Sequence, residues 1–172
     1  MKEIYWLDRI KPSENVVVGK RAEVLSQLTR KGYSVFSGFA IEACFLKDFF
    51  ESTNDSDSLL TDLCTTSWHL DVDNHKALQR VAQQSRQVIL NTSLSPELVE
   101  RIYTEAQTFN SSAVILHPAV VTPSYKRSSY ESLLRSPVCW LSPKNLSVAL
   151  KQVWMEIFTA KSLFYAHKAG ID

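Results

Sequence analysis

The sequence has few of the residues that mark specialised classes of protein. Of its 172 residues only four are glycine and three are cysteine, and it contains no repeat or low-complexity segment. An odd number of widely spaced cysteines is typical of reduced thiols, and it predicts neither a disulfide framework nor a zinc site. The first residues mix charges with aromatic rings and lack the apolar core of a signal peptide, so we expect a cytoplasmic protein.

An excess of charge and long apolar runs are also lacking. The formal net charge is +1, which argues against a broad positive field that would recruit nucleic acid or an anionic membrane. No apolar run approaches the length of a membrane span. The remaining composition, with 45% hydrophobic and 22% charged residues, is that of an ordinary globular protein. The length predicts a single domain over residues 1–172.

The most informative pattern lies near the N-terminus, where an apolar run precedes a glycine and a lysine. The predicted elements are a strand (Val16–Val18), a turn (Gly19-Lys20), a helix (Lys20–Lys31) and a second strand (Val35–Ile41). A glycine and a lysine between a strand and a helix can offer a phosphate backbone N–H groups and one ammonium. Gly19 and Lys20 are therefore candidate phosphate contacts. The alternative for Lys20 is a solvated lysine paired with nearby acids.

Helices dominate the rest of the predicted structure. In chain order we expect a helix over Glu42–Glu51, a helix over Asp73–Leu90 capped by Asp73, a helix opened by Ser95-Pro96, a short buried strand over Ala113–Leu116, a loop over 117–137, and a final helix from Ser142-Pro143 to about Ala169. Apolar residues at helical spacing and Ser-Pro capping signals support these helices. The predicted class is α/β or α+β, helix-rich, with a small sheet flanked by helices.

In the order and spacing of its motifs, the chain resembles the N-terminal nucleotide-binding domain of phosphoenolpyruvate synthase and pyruvate phosphate dikinase. The matching segments are Val18-Gly19-Lys20 for a glycine-glycine-lysine turn, Val35–Phe39 for a V-P-x-G-F strand, Ser95–Leu98 for an l-p-x-e-l segment, and Trp154 with Tyr165–Gly170 for a closing helix and its tail. The resemblance covers residues 4 to 172. It implies the first half of an ATP-grasp-type domain, with Mg-ATP as the candidate cofactor.

The chain departs from this family where triphosphate would be held. A family strand ending in V-A-V-R-S-S lies over Val114–Leu116, so that His117 takes the position of the arginine and Pro118 that of a serine. The small A-G-Q loop further on becomes Glu131–Leu133. Arginine grips phosphate with two parallel N–H bonds, which a mostly neutral histidine cannot make. His117 is thus either a residual phosphate contact or a replaced arginine without an inherited role.

Three expectations follow from the resemblance. The candidate nucleotide-binding residues are Gly19, Lys20 and His117, and no residue is predicted to be catalytic. The family's acidic metal ligands, phosphorylated histidine and pyruvate site lie on parts that this chain does not include. We therefore expect a non-catalytic module that binds a partner or senses a nucleotide. The alternative is the ATP-binding half of a split phosphoenolpyruvate synthase-like phosphotransferase that another chain completes.

Two further features bear on partners and metals. The face that the second half would cover should be apolar and should bind a protein partner or a second copy of the chain. Its candidate residues are Val120, Val121, Tyr125, Tyr130, Leu133, Leu134, Val138 and Trp140. His69 and His75, with the aspartates between them, look like metal ligands, but their spacing is not that of a recognised site, so no metal is predicted.

Overall fold

The computed structural model describes residues 4–42, 44–51, 71–119 and 133–169. Within these ranges there are six α-helices and two antiparallel sheets of two strands each. The helices are α1 (Asn15–Arg30), α2 (Cys44–Glu51), α3 (His75–Asn91), α4 (Pro96–Gln107), α5 (Pro143–Ile157) and α6 (Ala160–Lys168). The strands are β1 (Ile4–Trp6), β2 (Phe39–Ile41), β3 (Ala113–Ile115) and β4 (Val138–Trp140). The predicted helix-rich α/β class is confirmed.

Two helices begin where the Ser-Pro pairs predict. The Ser95 hydroxyl accepts a hydrogen bond from the Leu98 N–H at 3.3 Å, and the Ser142 hydroxyl accepts one from the Asn145 N–H at 3.2 Å. In both helices proline occupies the first turn, where its missing N–H leaves no helical bond unmade. These local signals position α4 and α5, whose packing forms much of the main core.

The cap of α3 corrects one prediction. Asn74, not Asp73, is the N-cap residue, and its side-chain oxygen accepts a hydrogen bond from the Ala77 N–H at 3.1 Å. Asparagine and aspartate are about equally good N-caps, so the sequence alone did not separate these neighbours. The Asp73 carboxylate instead lies 3.3 Å from the Lys168 ammonium and links the start of α3 to the end of α6.

The predicted strand at Val16–Val18 is wrong. These residues belong to α1, which continues to Arg30 and is interrupted only at Gly19. Three successive β-branched residues favour an extended chain locally. Val18, however, is buried in one cluster with Ala22 and Ile10. Tertiary burial therefore overrides the local preference.

The predicted final helix is two helices. α5 ends at Ile157 and α6 begins at Ala160, with Thr159 as the cap between them. The Thr159 hydroxyl accepts a hydrogen bond from the Ser162 N–H at 3.1 Å, and the Ser162 hydroxyl donates to the Glu156 carbonyl at 2.6 Å. These hydroxyls satisfy backbone groups that the break would otherwise leave unpaired.

The predicted strands that form are shorter than predicted, and two strands, β1 and β4, were not predicted. β2 is confined to Phe39–Ile41 and pairs with β1, whereas the sequence predicted a strand from Val35. β3 ends at Ile115 and is only half-buried. It pairs with β4, Ala113 opposite Trp140. β4 escaped prediction because three residues are too few to show a period-two pattern.

The main core lies between α3, α4, α5 and the inner face of the β3–β4 sheet. Its most deeply buried members are Ile89, Ile102 and Leu146, each at most 2% exposed, and Cys139 joins them from β4. A smaller core lies between β1 and α1. Among the described helices, none combines the length and the hydrophobicity that a membrane span requires.

Candidate functional site

A backbone break at Gly19 divides α1. Its φ of 81° and ψ of 164° lie outside the helical region, and a positive φ of this size is readily adopted only by glycine. Gly19 is buried, whereas Lys20 directly after it is exposed and opens the second segment of the helix. The break therefore lies where the sequence predicted a Gly-Lys turn, although a helical segment, not a strand, precedes it.

The Lys20 ammonium is paired with an acid one turn along the helix. Its Nζ atom lies 2.8 Å from the Glu23 carboxylate, and the Lys20 side chain is 70% exposed. Glu23 also accepts a hydrogen bond from the Gln27 amide at 2.9 Å. This is the alternative that the sequence left open for Lys20. The Glu23 side chain is only 16% exposed, so an anionic ligand that drew the Lys20 ammonium away would leave a largely buried carboxylate with the Gln27 amide as its partner.

His117 lies just beyond the end of β3, beside the chain that leads into β4. Its Nδ1 atom is 2.8 Å from the Ser136 hydroxyl. Partial burial, followed by the positive charge of Arg21, lowers the pKa of the imidazole below its ordinary value, so the ring is neutral at pH 7. Arg21 is the residue after Lys20. The positive charge of Arg21 on α1 therefore acts on the imidazole that follows β3.

Arg21 was missed by the sequence reasoning, which considered only Lys20 at the Gly-Lys turn. The available signal was the pair of adjacent basic residues directly after the glycine. Nothing in the sequence linked that pair to His117, since the two segments are almost a hundred positions apart. The link is the positive charge of Arg21, which contributes to the lowered pKa of the His117 imidazole.

The β3–β4 sheet has an inner and an outer face. Side chains alternate between faces along a strand, and directly opposed residues share a face. Val114 and Cys139 form an opposed pair that packs into the main core. The flanking pairs point the other way. Three of their residues are solvent-exposed, with Ile115 58%, Val138 66% and Trp140 68% exposed, and Ala113 is half-buried.

The same register continues past both ends of the sheet. The Leu116 N–H donates to the Pro137 carbonyl at 3.0 Å, which extends the pairing by one position. The next opposed pair is His117 and Ser136, whose side chains are hydrogen-bonded to each other. We call the resulting surface the outer sheet face; it consists of Ala113, Ile115, His117, Ser136, Val138 and Trp140.

The predicted apolar face is only partly matched by this surface. Val138 and Trp140 are exposed on it. Leu134 is buried instead, packed in a small core with Ala166, and Leu133 is half-buried beside it. The remaining four candidates, at positions 120, 121, 125 and 130, lie outside the described residues.

The predicted metal-like set is not assembled into a site by the residues that can be described. His69 lies outside the described ranges, and Asp71, Asp73 and His75 are exposed around the start of α3. In the described part of the chain no three histidine, cysteine or acidic side chains are grouped closely enough to hold a metal ion.

Comparison with known proteins identifies the family of this chain. A family model described as pyruvate phosphate dikinase, AMP/ATP-binding domain, matches residues 14–172, which include Gly19, Lys20, Arg21 and His117. A probable phosphoenolpyruvate synthase from Staphylothermus marinus is 28% identical over 176 residues. That alignment covers 98% of this chain and 21% of the relative, so the chain spans about a fifth of the relative's length.

Proposed function

Because the chain belongs to the pyruvate phosphate dikinase AMP/ATP-binding domain family, we propose that it is a non-catalytic, nucleotide-sensing module that binds an adenine nucleotide. The phosphates would lie between the Gly19 break and the end of β3. The observation that carries this proposal is the match of the AMP/ATP-binding family model over residues 14–172, which include Gly19, Lys20, Arg21 and His117. A guanidinium, an ammonium and a hydroxyl are donors suited to phosphate oxygens.

The replacement at position 117 supports binding without turnover. In the resemblance, His117 stands where the family has an arginine, and its lowered pKa keeps the ring uncharged at pH 7. Phosphoryl transfer depends on positioning and on neutralising charge that develops in the transition state. Arg21 and Lys20 still attract phosphate, but a neutral imidazole adds no positive charge for that step. A nucleotide would therefore bind here and remain intact, as a sensing role requires.

The alternative is the ATP-binding half of a split phosphotransferase, for which the similarity to a probable phosphoenolpyruvate synthase is the supporting observation. Another chain would then supply the metal-binding carboxylates and the remaining catalytic groups. A partner on this chain's surface is common to both candidates: the sensing module needs one to report its state, and the split enzyme needs one for catalysis.

A thermal-shift titration with AMP, ADP and ATP, each with and without Mg²⁺, tests the proposal. A ligand at 100 times its Kd adds roughly 2.7 kcal/mol of stability. For a chain of this size that corresponds to about 5–10 °C in Tm. We expect such a shift in the wild type, a smaller one in Lys20→Ala and little or none in Arg21→Gln. Arg80→Ala, an exposed arginine on α3, is the matched control and should shift like the wild type.

Two outcomes would contradict the proposal. The absence of any shift at millimolar nucleotide would remove the nucleotide-binding role altogether. Release of inorganic phosphate from ATP by the pure chain, abolished by Arg21→Gln, would contradict a non-catalytic role. Phosphate release only after a second purified chain is added would favour the split enzyme.

A further inference from the structure

The outer sheet face has a polar end and an apolar end. At the polar end, the hydrogen-bonded pair of His117 and Ser136 lies within the field of Arg21. At the apolar end, Trp140 is the largest exposed side chain, with 68% of its surface accessible. The opposed pair Ile115 and Val138 lies between the two ends and is also exposed. The inner face of the same sheet is packed in the core, so only the outer face is available to a ligand.

Trp140 is held on a rigid part of the fold. Its carbonyl accepts a hydrogen bond from the Asn145 side-chain amide at 3.1 Å, and Asn145 lies in the first turn of α5. The next residue, Leu141, donates its N–H to the Ser112 carbonyl at 2.8 Å. Cys139 on the other side is buried in the main core. The backbone is therefore fixed on both sides of an indole ring that points to solvent.

The length of the face matches an extended nucleotide. From the His117–Ser136 pair to the Ala113–Trp140 pair the strand advances four residues, or about 13 Å at roughly 3.3 Å per residue. A nucleotide with its phosphates at one end and its base at the other can reach both pairs. Charge sets the orientation, because the anionic phosphates belong at the polar end, where the hydrogen-bonded His117–Ser136 pair lies and the positive charge of Arg21 acts. The uncharged base is left for the apolar end.

We propose that the outer sheet face is the base-binding platform of the nucleotide site, with Trp140 stacked on a purine ring and Ile115 and Val138 beneath the sugar. This inference rests on the proposed function, since Lys20 and Arg21 must hold the phosphates for the base to reach Trp140. Aromatic rings stack on every nucleobase, and the larger purine ring overlaps the indole more fully than a pyrimidine does. Trp140 therefore favours purine over pyrimidine nucleotides, and both over a phosphate chain without a base.

Calorimetric titrations of the full chain with ATP, CTP and inorganic tripolyphosphate test this platform. We expect Trp140→Ala to weaken ATP binding about tenfold or more, in line with the loss of one stacked base, and to leave tripolyphosphate binding unchanged. Trp140→Phe should retain most of the ATP affinity. Phe36→Ala, which removes an almost fully exposed aromatic ring between α1 and β2, is the matched control and should bind ATP like the wild type.

Tryptophan fluorescence provides a second readout that does not depend on affinity. ATP should quench the emission of the wild-type chain, and the quenching should be lost in Trp140→Phe although Trp6, Trp68 and Trp154 remain. Unchanged ATP affinity in Trp140→Ala, or an equal loss for ATP and tripolyphosphate, would overturn the platform while leaving the phosphate site intact.

Two other outcomes would rule out the base-binding platform for different reasons. If neither ATP nor tripolyphosphate binds the wild type, the proposed function fails and the platform with it. If the wild-type chain is a dimer by light scattering and Trp140→Ala is a monomer, the face is occupied by a second copy of the chain and the platform is overturned.

Discussion

Each of the two sheets is a pair of three-residue strands, and in each a strand ends in a tryptophan, yet the surroundings of the two tryptophans are opposite. The Trp6 ring in β1 packs edge-on against Phe39 and Phe109, with centroids 5.6 and 5.5 Å away. Its indole N–H donates to the Glu105 carboxylate at 3.0 Å. Trp140 in β4 is 68% exposed.

The difference follows from what lies over each sheet. Glu105 belongs to α4 and Phe109 lies two residues beyond its last residue, so this end of the helix covers Trp6 and satisfies its N–H. On the outer face of β3–β4, Trp140 has the exposed side chains of Ile115 and Val138 on the same face. A covered tryptophan stabilises the fold, whereas an exposed apolar surface is suited to a ligand. The comparison therefore separates a tryptophan with a structural role from the one that we propose for ligand binding.

Truncation of each tryptophan to alanine should produce the largest effect and tests directly whether the two residues differ in their contribution to stability. Trp6→Ala should lower the free energy of unfolding by about 2–4 kcal/mol, because it removes a half-buried ring and leaves Glu105 without its donor. Trp140→Ala should change it by no more than about 0.5 kcal/mol, as expected at an exposed position. Urea denaturation of both variants measures the difference. Equal losses would mean that Trp140 is also a structural residue.

A second test contrasts two glycines that share a positive φ of 81°. Gly19→Ala and Gly32→Ala should each lose roughly 1–2 kcal/mol of stability from backbone strain. Gly32 ends α1, and a Cβ atom there would meet no other atom within 4 Å, so strain is the expected effect of that change. Only Gly19→Ala should also weaken ATP binding in calorimetry. A similar loss of affinity in Gly32→Ala would mean that general stability, and not the geometry of the break, controls binding.

A smaller effect is expected from the helix caps. Ser95→Ala and Ser142→Ala should each cost about 1 kcal/mol in thermal or urea unfolding, since each removes a hydrogen bond to the first turn. Ser142 opens the helix whose Asn145 side chain holds the carbonyl of Trp140. Ser142→Ala should therefore also reduce ATP affinity, whereas Ser95→Ala should not. If both variants bound ATP like the wild type, the support of Trp140 by α5 would be unimportant for binding.

The features that could be predicted from the sequence are those set by local chemistry. Apolar periodicity and Ser-Pro pairs located α4 and the start of α5, because caps and amphipathic faces act within one or two turns. Gly32 marked the end of α1 for the same reason. Local preference failed at Val16–Val18, where burial against a distant part of the chain decided the conformation.

The parts of the candidate site that could not be predicted depend on contacts between distant segments. Gly19, Lys20 and His117 were named from a motif resemblance, but nothing in the sequence links Arg21 to His117, whose pKa its charge helps to lower. The outer sheet face depends on the register of β3 and β4, and β4 is too short to show its alternation in sequence. Trp140 could be named as an aromatic candidate, but only the register shows that it shares a face with His117.

The smallest expected effect is that of His117 on the pH dependence of stability, and it tests this residue specifically. The folded state lowers the pKa of His117, so the unfolded chain binds more protons once the pH falls to about 6.5 and below. This histidine's share of the stability is therefore complete above about pH 6.5 and is lost as the pH falls through the lowered pKa. His117→Asn should therefore lose less stability than the wild type between pH 7.5 and pH 5.5, measured as the change in the urea midpoint. The control variant His75→Asn changes an exposed histidine on α3 and should lose stability with falling pH as the wild type does.

The pH dependence of nucleotide binding tests the same histidine. A bound phosphate favours the protonated ring, so ATP affinity should rise between pH 8 and 6 by more in the wild type than in His117→Asn. The nucleotide's own titration is common to both proteins and cancels in that comparison. Identical pH profiles would mean that His117 faces neither Arg21 nor a bound phosphate, and the two ends of the outer sheet face would then be unrelated.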